Sequence, residues 1–167
     1  MKHVSIFFLV TILTATSAFA SKKHGKHVHG EADIQIGFED KQGVVYLQTP
    51  SDAIVGFEHK GKNDAQKKQY SDAVKKLEDD SKQMITLPES CTIQNVDLKS
   101  ISDSDSDTAH TDFIVEYSIN CTESVKGKKL GLNFQKFYSK IKKMNVELTS
   151  PSGSKKLTLR SPSEVTL

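Results

Sequence analysis

The sequence of 167 residues has no tryptophan, two cysteines, four prolines and a formal charge of only +2. Each scarcity excludes something. Without tryptophan, and with few other aromatics, a core must be assembled mainly from Val, Ile, Leu and Phe. A near-balanced charge leaves no basic footprint for nucleic acid. Beyond the first twenty residues no stretch is apolar enough to cross a bilayer, which takes ~20 predominantly apolar residues. The nucleophile elbow G-x-S-x-G, the zinc-hydrolase helix H-E-x-x-H and a glycine-rich phosphate cradle are all missing. Carboxylates are plentiful, but none stands apart as an acid/base pair, so the expectation is a protein that is not an enzyme.

What is present begins with a leader. Lys2 supplies the opening charge, and an apolar run follows (Val4, Ile6, Phe7, Phe8, Leu9, Val10, Ile12, Leu13). Ala18-Phe19-Ala20 then offers small residues where a signal peptidase reads them. Charge, short apolar run and A-x-A together form a secretory signal peptide over residues 1–20, cut after Ala20. The run is too short for a membrane span and is broken by Ser5, Thr11 and Thr14. No cysteine follows the cut, which argues against a lipid anchor. The expected product is exported, with no membrane insertion after cleavage.

Both cysteines, Cys91 and Cys121, fall in the exported part. An oxidising compartment favours pairing them as a disulfide. Two metal thiolates are the alternative, but the cysteines sit in separate strand-like segments without C-x-x-C spacing.

Residues 21–30 are basic and histidine-bearing and read as an extended lead-in. From Glu31 the chain alternates: Ala32, Ile34, Ile36 and Phe38 are apolar, with Glu31, Asp33 and Gln35 between them. Period two predicts a strand with one wet face. Residues 40–43 read as a turn and 44–48 as the returning strand, ended by Pro50. SDAIVGFEHK, residues 51–60, reads as irregular. A helix is expected from Asn63, its cap, to about Asp80, with Tyr70, Ala73, Val74 and Leu77 as its apolar stripe. Residues 84–88 read as a tether. Strands follow at 91–99, 110–121 and around Leu130 and Leu132, then a short helix over 134–141 and a last hairpin, 145–149 with 156–160. Residues 102–109, rich in Ser-Asp, form a flexible acidic loop. It opens like a calcium loop, but Thr108 and Ile114 replace the required glycine and glutamate. The predicted architecture is one α+β domain over 31–167: a mainly antiparallel sheet, two helices, one disulfide.

Six histidines occur, of which His3 lies in the leader. His24, His27 and His29 fall within six residues. Neutral imidazole is the commonest metal ligand, and zinc takes four donors tetrahedrally. On an extended chain, His27 and His29 leave the same face, with Glu31 next along it. An ion held there needs further ligands from elsewhere. His59 is one candidate, and His110 with Asp112 supplies another i, i+2 pair. Lys22, Lys23 and Lys26 oppose a cation near His24, so His24 and Glu31 are the weaker candidates. A zinc hydrolase would further need an open coordination position and a base, for which only Glu31 or Glu58 offers itself.

These elements, taken together, resemble a known family. His27-Val28-His29-Gly30-Glu31-Ala32-Asp33-Ile34 fits H-x-H-G-x-A-x-I/L. PSDAIVGFEH (50–59), the helix with Gln66-Lys67-Lys68, both cysteine segments and His110-Thr111-Asp112-Phe113 follow in order. The chain is similar, over nearly all its exported part, to the ZrgA-type periplasmic zinc-uptake accessory proteins. The resemblance implies a Gram-negative periplasmic protein that binds Zn²⁺ and assists an ATP-driven zinc importer. The matching positions are His27, His29, His59, His110 and Asp112. Imidazoles also suit copper or nickel, so zinc rests on the resemblance. Many relatives carry a histidine-rich insert before the H-x-D-F element; here that loop has no histidine, which predicts low capacity. The alternative is an envelope interaction protein without a metal role.

Overall fold

The computed structural model describes residues 28–59, 61–102 and 110–167. The signal peptide and its cleavage point, the lead-in through His24 and His27, and the acidic stretch 103–109 lie outside the described residues.

The alternation at the start of the described chain does form a strand, β1 (Glu31–Glu39). Ala32, Ile34, Ile36 and Phe38 are buried and the residues between them are not. The return strand β2 (Gln42–Pro50) begins earlier than expected. Asp40 and Lys41 alone make the turn, with Asp40 at φ +49, a conformation aspartate tolerates better than most residues. Gly43 therefore belongs to the strand. It faces Phe38 across the ladder, and the Phe38 ring occupies the space a Cβ at position 43 would need.

Next come α1 (Ser51–Val55), α2 (Asp64–Asp79), α3 (Ser81–Met84) and the short β3 (Ile85–Thr86). The Asn63 side chain caps α2, accepting from the Gln66 N–H at 2.9 Å. The expected stripe turns inward: Leu77 is fully buried, and Tyr70, Ala73 and Val74 pack against the core. β4 (Cys91–Ser102) and β5 (Thr111–Cys121) form the long antiparallel pair, with Phe113, Val115, Tyr117 and Ile119 on the core side. β6 (Lys129–Leu132), α4 (Phe134–Phe137), β7 (Lys143–Ser150), β8 (Gly153–Leu159) and β9 (Ser163–Thr166) complete the chain.

Six strands share one sheet in the order β4-β5-β2-β1-β7-β8, and β3-β6-β9 make a second. Every pairing is antiparallel except β1 with β7. One face of the large sheet joins the small sheet and the helices in a single hydrophobic cluster. Tyr117 shows how that face is closed. Its ring lies beside Phe134, its hydroxyl donates to the Leu77 carbonyl at 3.3 Å, and burial pushes its phenol well up. The other face carries Asp33, Gln35, Gln48, Glu116 and Glu147, in register rows across the strands.

The fold is predominantly β rather than evenly α+β: 50% of the described residues are strand and 22% helix. Four helices occur among them where two were expected: residues 51–55 fold as a short helix in a stretch read as irregular, and residues 81–84 as another just beyond the expected end of the Asn63 helix. The helix expected over 134–141 stops at Phe137. Tyr138 leaves helical geometry at φ −127, ψ 87, and Tyr138 and Ile141 are nonetheless buried. β9 was missed because Val165 is its one inward apolar residue.

Cys91, the first residue of β4, and Cys121, the last of β5, face each other at the open end of the pair and are joined by the expected disulfide. Closing a loop of ~30 residues restricts the unfolded chain by about 3.6 kcal/mol on the chain-entropy account. Replacing both cysteines by serine should lower the unfolding free energy by about 2–4 kcal/mol in a denaturant titration.

Candidate metal centre

Strand direction decides which distant residues meet. β2 lies between β1 and β5, antiparallel to both. The start of β1, the end of β2 and the start of β5 therefore stand side by side, at the end of the sheet opposite the disulfide. His29 precedes β1, α1 follows β2 directly, and His110 precedes β5.

Local geometry then aims the side chains. The Glu31 N–H donates to the Val28 carbonyl at 3.1 Å, and Gly30 at φ +77 makes the tight turn that leaves His29 exposed. Asp52 sits in the first turn of α1. Gly56, left-handed at φ +87, ends that helix with its N–H on the Asp52 carbonyl at 3.1 Å. A Gln69 side-chain N–H donates to the Val55 carbonyl at 2.6 Å, tying α1 to α2. The chain turns back there and brings Glu58 over α1.

Three side chains converge. His29 Nδ1 is 3.3 Å from Asp52 Oδ2, and His29 Nε2 is 2.9 Å from Glu58 Oε1. From the other side, His110 Nδ1 lies 2.7 Å from Glu58 Oε2. Donor atoms of His29, Asp52 and Glu58 all fall within 4.8 Å of one another, and His110 joins through the far oxygen of Glu58. The carboxylates are the more buried members, with 19% and 29% of the Asp52 and Glu58 side chains exposed against 67% for His29.

The donor set suits a divalent cation. A neutral imidazole has one N–H and one lone pair, yet both nitrogens of His29 face carboxylate oxygens. One contact then sets a lone pair against an anion unless a proton or a metal ion lies between them. Asp52 Oδ1 is buried with no hydrogen-bond partner among the described residues. Tetrahedral zinc with bonds of 2.0–2.1 Å sets its donors about 3.3 Å apart, close to the separations seen here. With an ion between His29 Nε2 and Glu58, Asp52 would accept the Nδ1–H and fix the ring, the usual carboxylate–histidine–metal arrangement.

The sequence candidates divide. His29 and His110 are brought together. His59 follows Glu58, but its ring stacks on Phe57 with centroids 5.0 Å apart, and it is not one of the three converging residues. Asp112 is buried opposite Pro50, two residues along the chain from His110, and its Oδ2 accepts from Gln48 Nε2 at 2.7 Å. Glu31 is engaged elsewhere. Lys143 and the Asn145 amide both bond its carboxylate and hold its pKa below the usual carboxylate value. His24 and His27 lie outside the described residues. Asp52 and Glu58 were not foreseen as metal donors. The GFEH element held the clue for Glu58; Asp52 needed the recognition that residues after Pro50 make a helical turn.

A family model described as ZrgA family zinc uptake protein matches residues 26–166. The chain belongs to that family. The match runs from just before His27 to the end of β9 and takes in the whole converging cluster. No curated protein matches the chain significantly. Membership of the ZrgA family gives a zinc-uptake-related role. The disulfide suggests an exported protein, and among the described residues no helix is long and apolar enough to cross a membrane.

Two glutamates at this end of the sheet should behave oppositely. Glu58→Gln is expected to weaken zinc binding by about tenfold or more, and Glu31→Gln to leave it unchanged, in competition titrations against a chromophoric chelator. Equal effects from both would contradict the assignment.

Proposed function

We propose that this protein is a non-enzymatic periplasmic zinc carrier that holds Zn²⁺ at the β1–β2–β5 end of its sheet and supplies it to an ATP-driven importer. The observation that carries this reading is the meeting of His29 and His110 on the two oxygens of Glu58. Histidines on opposite flanks of β2 share one carboxylate, and the family is one of zinc uptake. His29 Nε2, Glu58 and His110 Nδ1 are the proposed ligands, with Asp52 orienting His29 or ligating directly. His27, whose i, i+2 spacing from His29 suits a chelating pair on an extended chain, is a further candidate, with His59, Asp112 and the weaker His24.

The exposure of the rings supports a carrier rather than a structural site. His29 and His110 have 67% and 52% of their side chains exposed, so an ion between them stays within reach of an incoming ligand. Export by the leader, cut after Ala20, and a periplasmic location complete the proposal and fit a disulfide-bonded zinc-uptake protein.

Imidazole ligates only when neutral, and histidine ordinarily titrates near ~6.5. Acid therefore displaces the ion. Zinc affinity measured by calorimetry should fall at least about tenfold between about pH 7.5 and about pH 5.5, and the fall should shrink in His29→Ala and His110→Ala. Affinity independent of both pH and these histidines would favour the interaction protein without a metal role.

A further inference from the structure

A strongly basic loop stands against this acidic centre. Residues 133–146 contain Lys136, Lys140, Lys142 and Lys143 and no acidic residue. The loop packs on the two glycines that shape the site. The backbone N–H groups of Lys142 and Lys143 donate to the Gly30 carbonyl at 2.7 and 3.1 Å. A side chain at Gly30 would begin 3.3 Å from the Lys140 carbonyl and 3.5 Å from the Lys142 stem. At Gly56, between Asp52 and Glu58, a side chain would begin 3.7 Å from Lys140 Nζ. His29 and the α1–Glu58 turn thus rest on the same wall.

The cations of that wall are differently engaged. Lys143 is neutralised by Glu31. The exposed Lys142 ammonium donates to the Ser139 carbonyl at 2.6 Å, an uncharged acceptor. Lys140, also exposed, has no ion pair among the described residues. Lysines beside a cation site oppose a bare metal ion and favour an anion on it. Large apolar side chains are exposed at only two described positions, Val28 and Ile101. Both lie at this same end: Val28 adjoins His29, and Ile101 pairs with Asp112. A free small anion has no use for apolar neighbours, whereas a polypeptide does.

We propose that the mouth of the centre is a docking surface for an acidic polypeptide segment of the protein that receives the ion. Lys140 and Lys142 attract its carboxylates, and one of these takes a coordination position on the metal in place of water. The proposal rests on the zinc reading above and names how the ion leaves. Charge complementarity chooses the occupant, because carboxylates both pair with the lysines and ligate zinc.

The test uses a fluorescein-labelled deca-glutamate peptide, followed by anisotropy, with zinc-loaded protein, metal-free protein and the double variant Lys140→Gln, Lys142→Gln. The peptide should bind the zinc-loaded protein, bind the metal-free protein more weakly, and lose affinity about tenfold in the double variant. Raised ionic strength should weaken it further. The variant's own zinc affinity should be unchanged or tighter, since two repelling cations are gone. Equal peptide affinity for variant and wild type overturns the proposal. So does weaker zinc binding by the variant without peptide, which would make the lysines counter-ions of Asp52 and Glu58. Displacement of the peptide by an equal concentration of glutarate would assign the surface to small carboxylates instead. Wild-type protein that binds no zinc removes the carrier reading as well; zinc binding without charge-dependent peptide binding removes only this one.

Discussion

The placement of β2 between β1 and β5, antiparallel to both, is the constraint on which the rest of the structure depends. It alone brings the chain before Glu31, the chain after Pro50 and the chain before Thr111 to one place. No local preference of these segments would do so. The register is firmly set, because sliding any of the three strands by one residue would turn Ile34, Leu47 or Val115 out of the core. The hydrophobic cluster thereby fixes the relative positions of His29, Asp52, Glu58 and His110, none of which belongs to it.

The two ends of the sheet are finished differently. At one end Cys91 and Cys121 are joined, and the Cys121 N–H donates to the Lys41 carbonyl at 2.7 Å, so strand ends and hairpin turn are locked together. A nine-residue strand such as β2 spans about 30 Å, and the histidine cluster lies at its far end. Stability and the proposed ion binding are accordingly separable. A change in the disulfide alters the free energy of the whole domain, while rearrangement of exposed rings at the other end leaves the core packing intact.

Much of this was legible in the residues because strands with one wet face announce themselves. The alternation from Glu31 to Phe38 and from Phe113 to Ile119 gave both strands, their buried faces and, with the cysteines, the disulfide. The helix after Asn63 was equally plain from its cap and stripe. What escaped were features decided by contacts between distant parts. The parallel pairing of β1 with β7 joins segments over a hundred residues apart. The one-turn α1 is too short to show a period, so Asp52 looked like one polar residue in an irregular stretch. His29 and His110 could be named as donors from spacing and resemblance. Their common partner Glu58 stood in the GFEH element, but the sharing of its carboxylate by the two rings is a property of the assembled sheet end. The surroundings of Glu31 were hidden for the same reason: Lys143 and Asn145 reach it only across the β1–β7 ladder.

In the proposed carrier, the charges at this end would let firmness and release coexist. Asp52 and Glu58 supply two carboxylates, which with neutral imidazoles would balance a divalent ion. That balance would hold the ion without the deep burial that makes desolvation costly and exchange slow. Lys140 and Lys142 would then leave the loaded centre net positive on its exposed side, although the empty centre there is near neutral. Loading itself would thus make the surface attractive to an anion. An acidic partner would be drawn to the loaded form and released once the ion has moved across, when the lysines again face Asp52 and Glu58 uncompensated by metal. On this proposal, direction would follow from electrostatics of the bound ion, with no movement of the sheet needed to provide it.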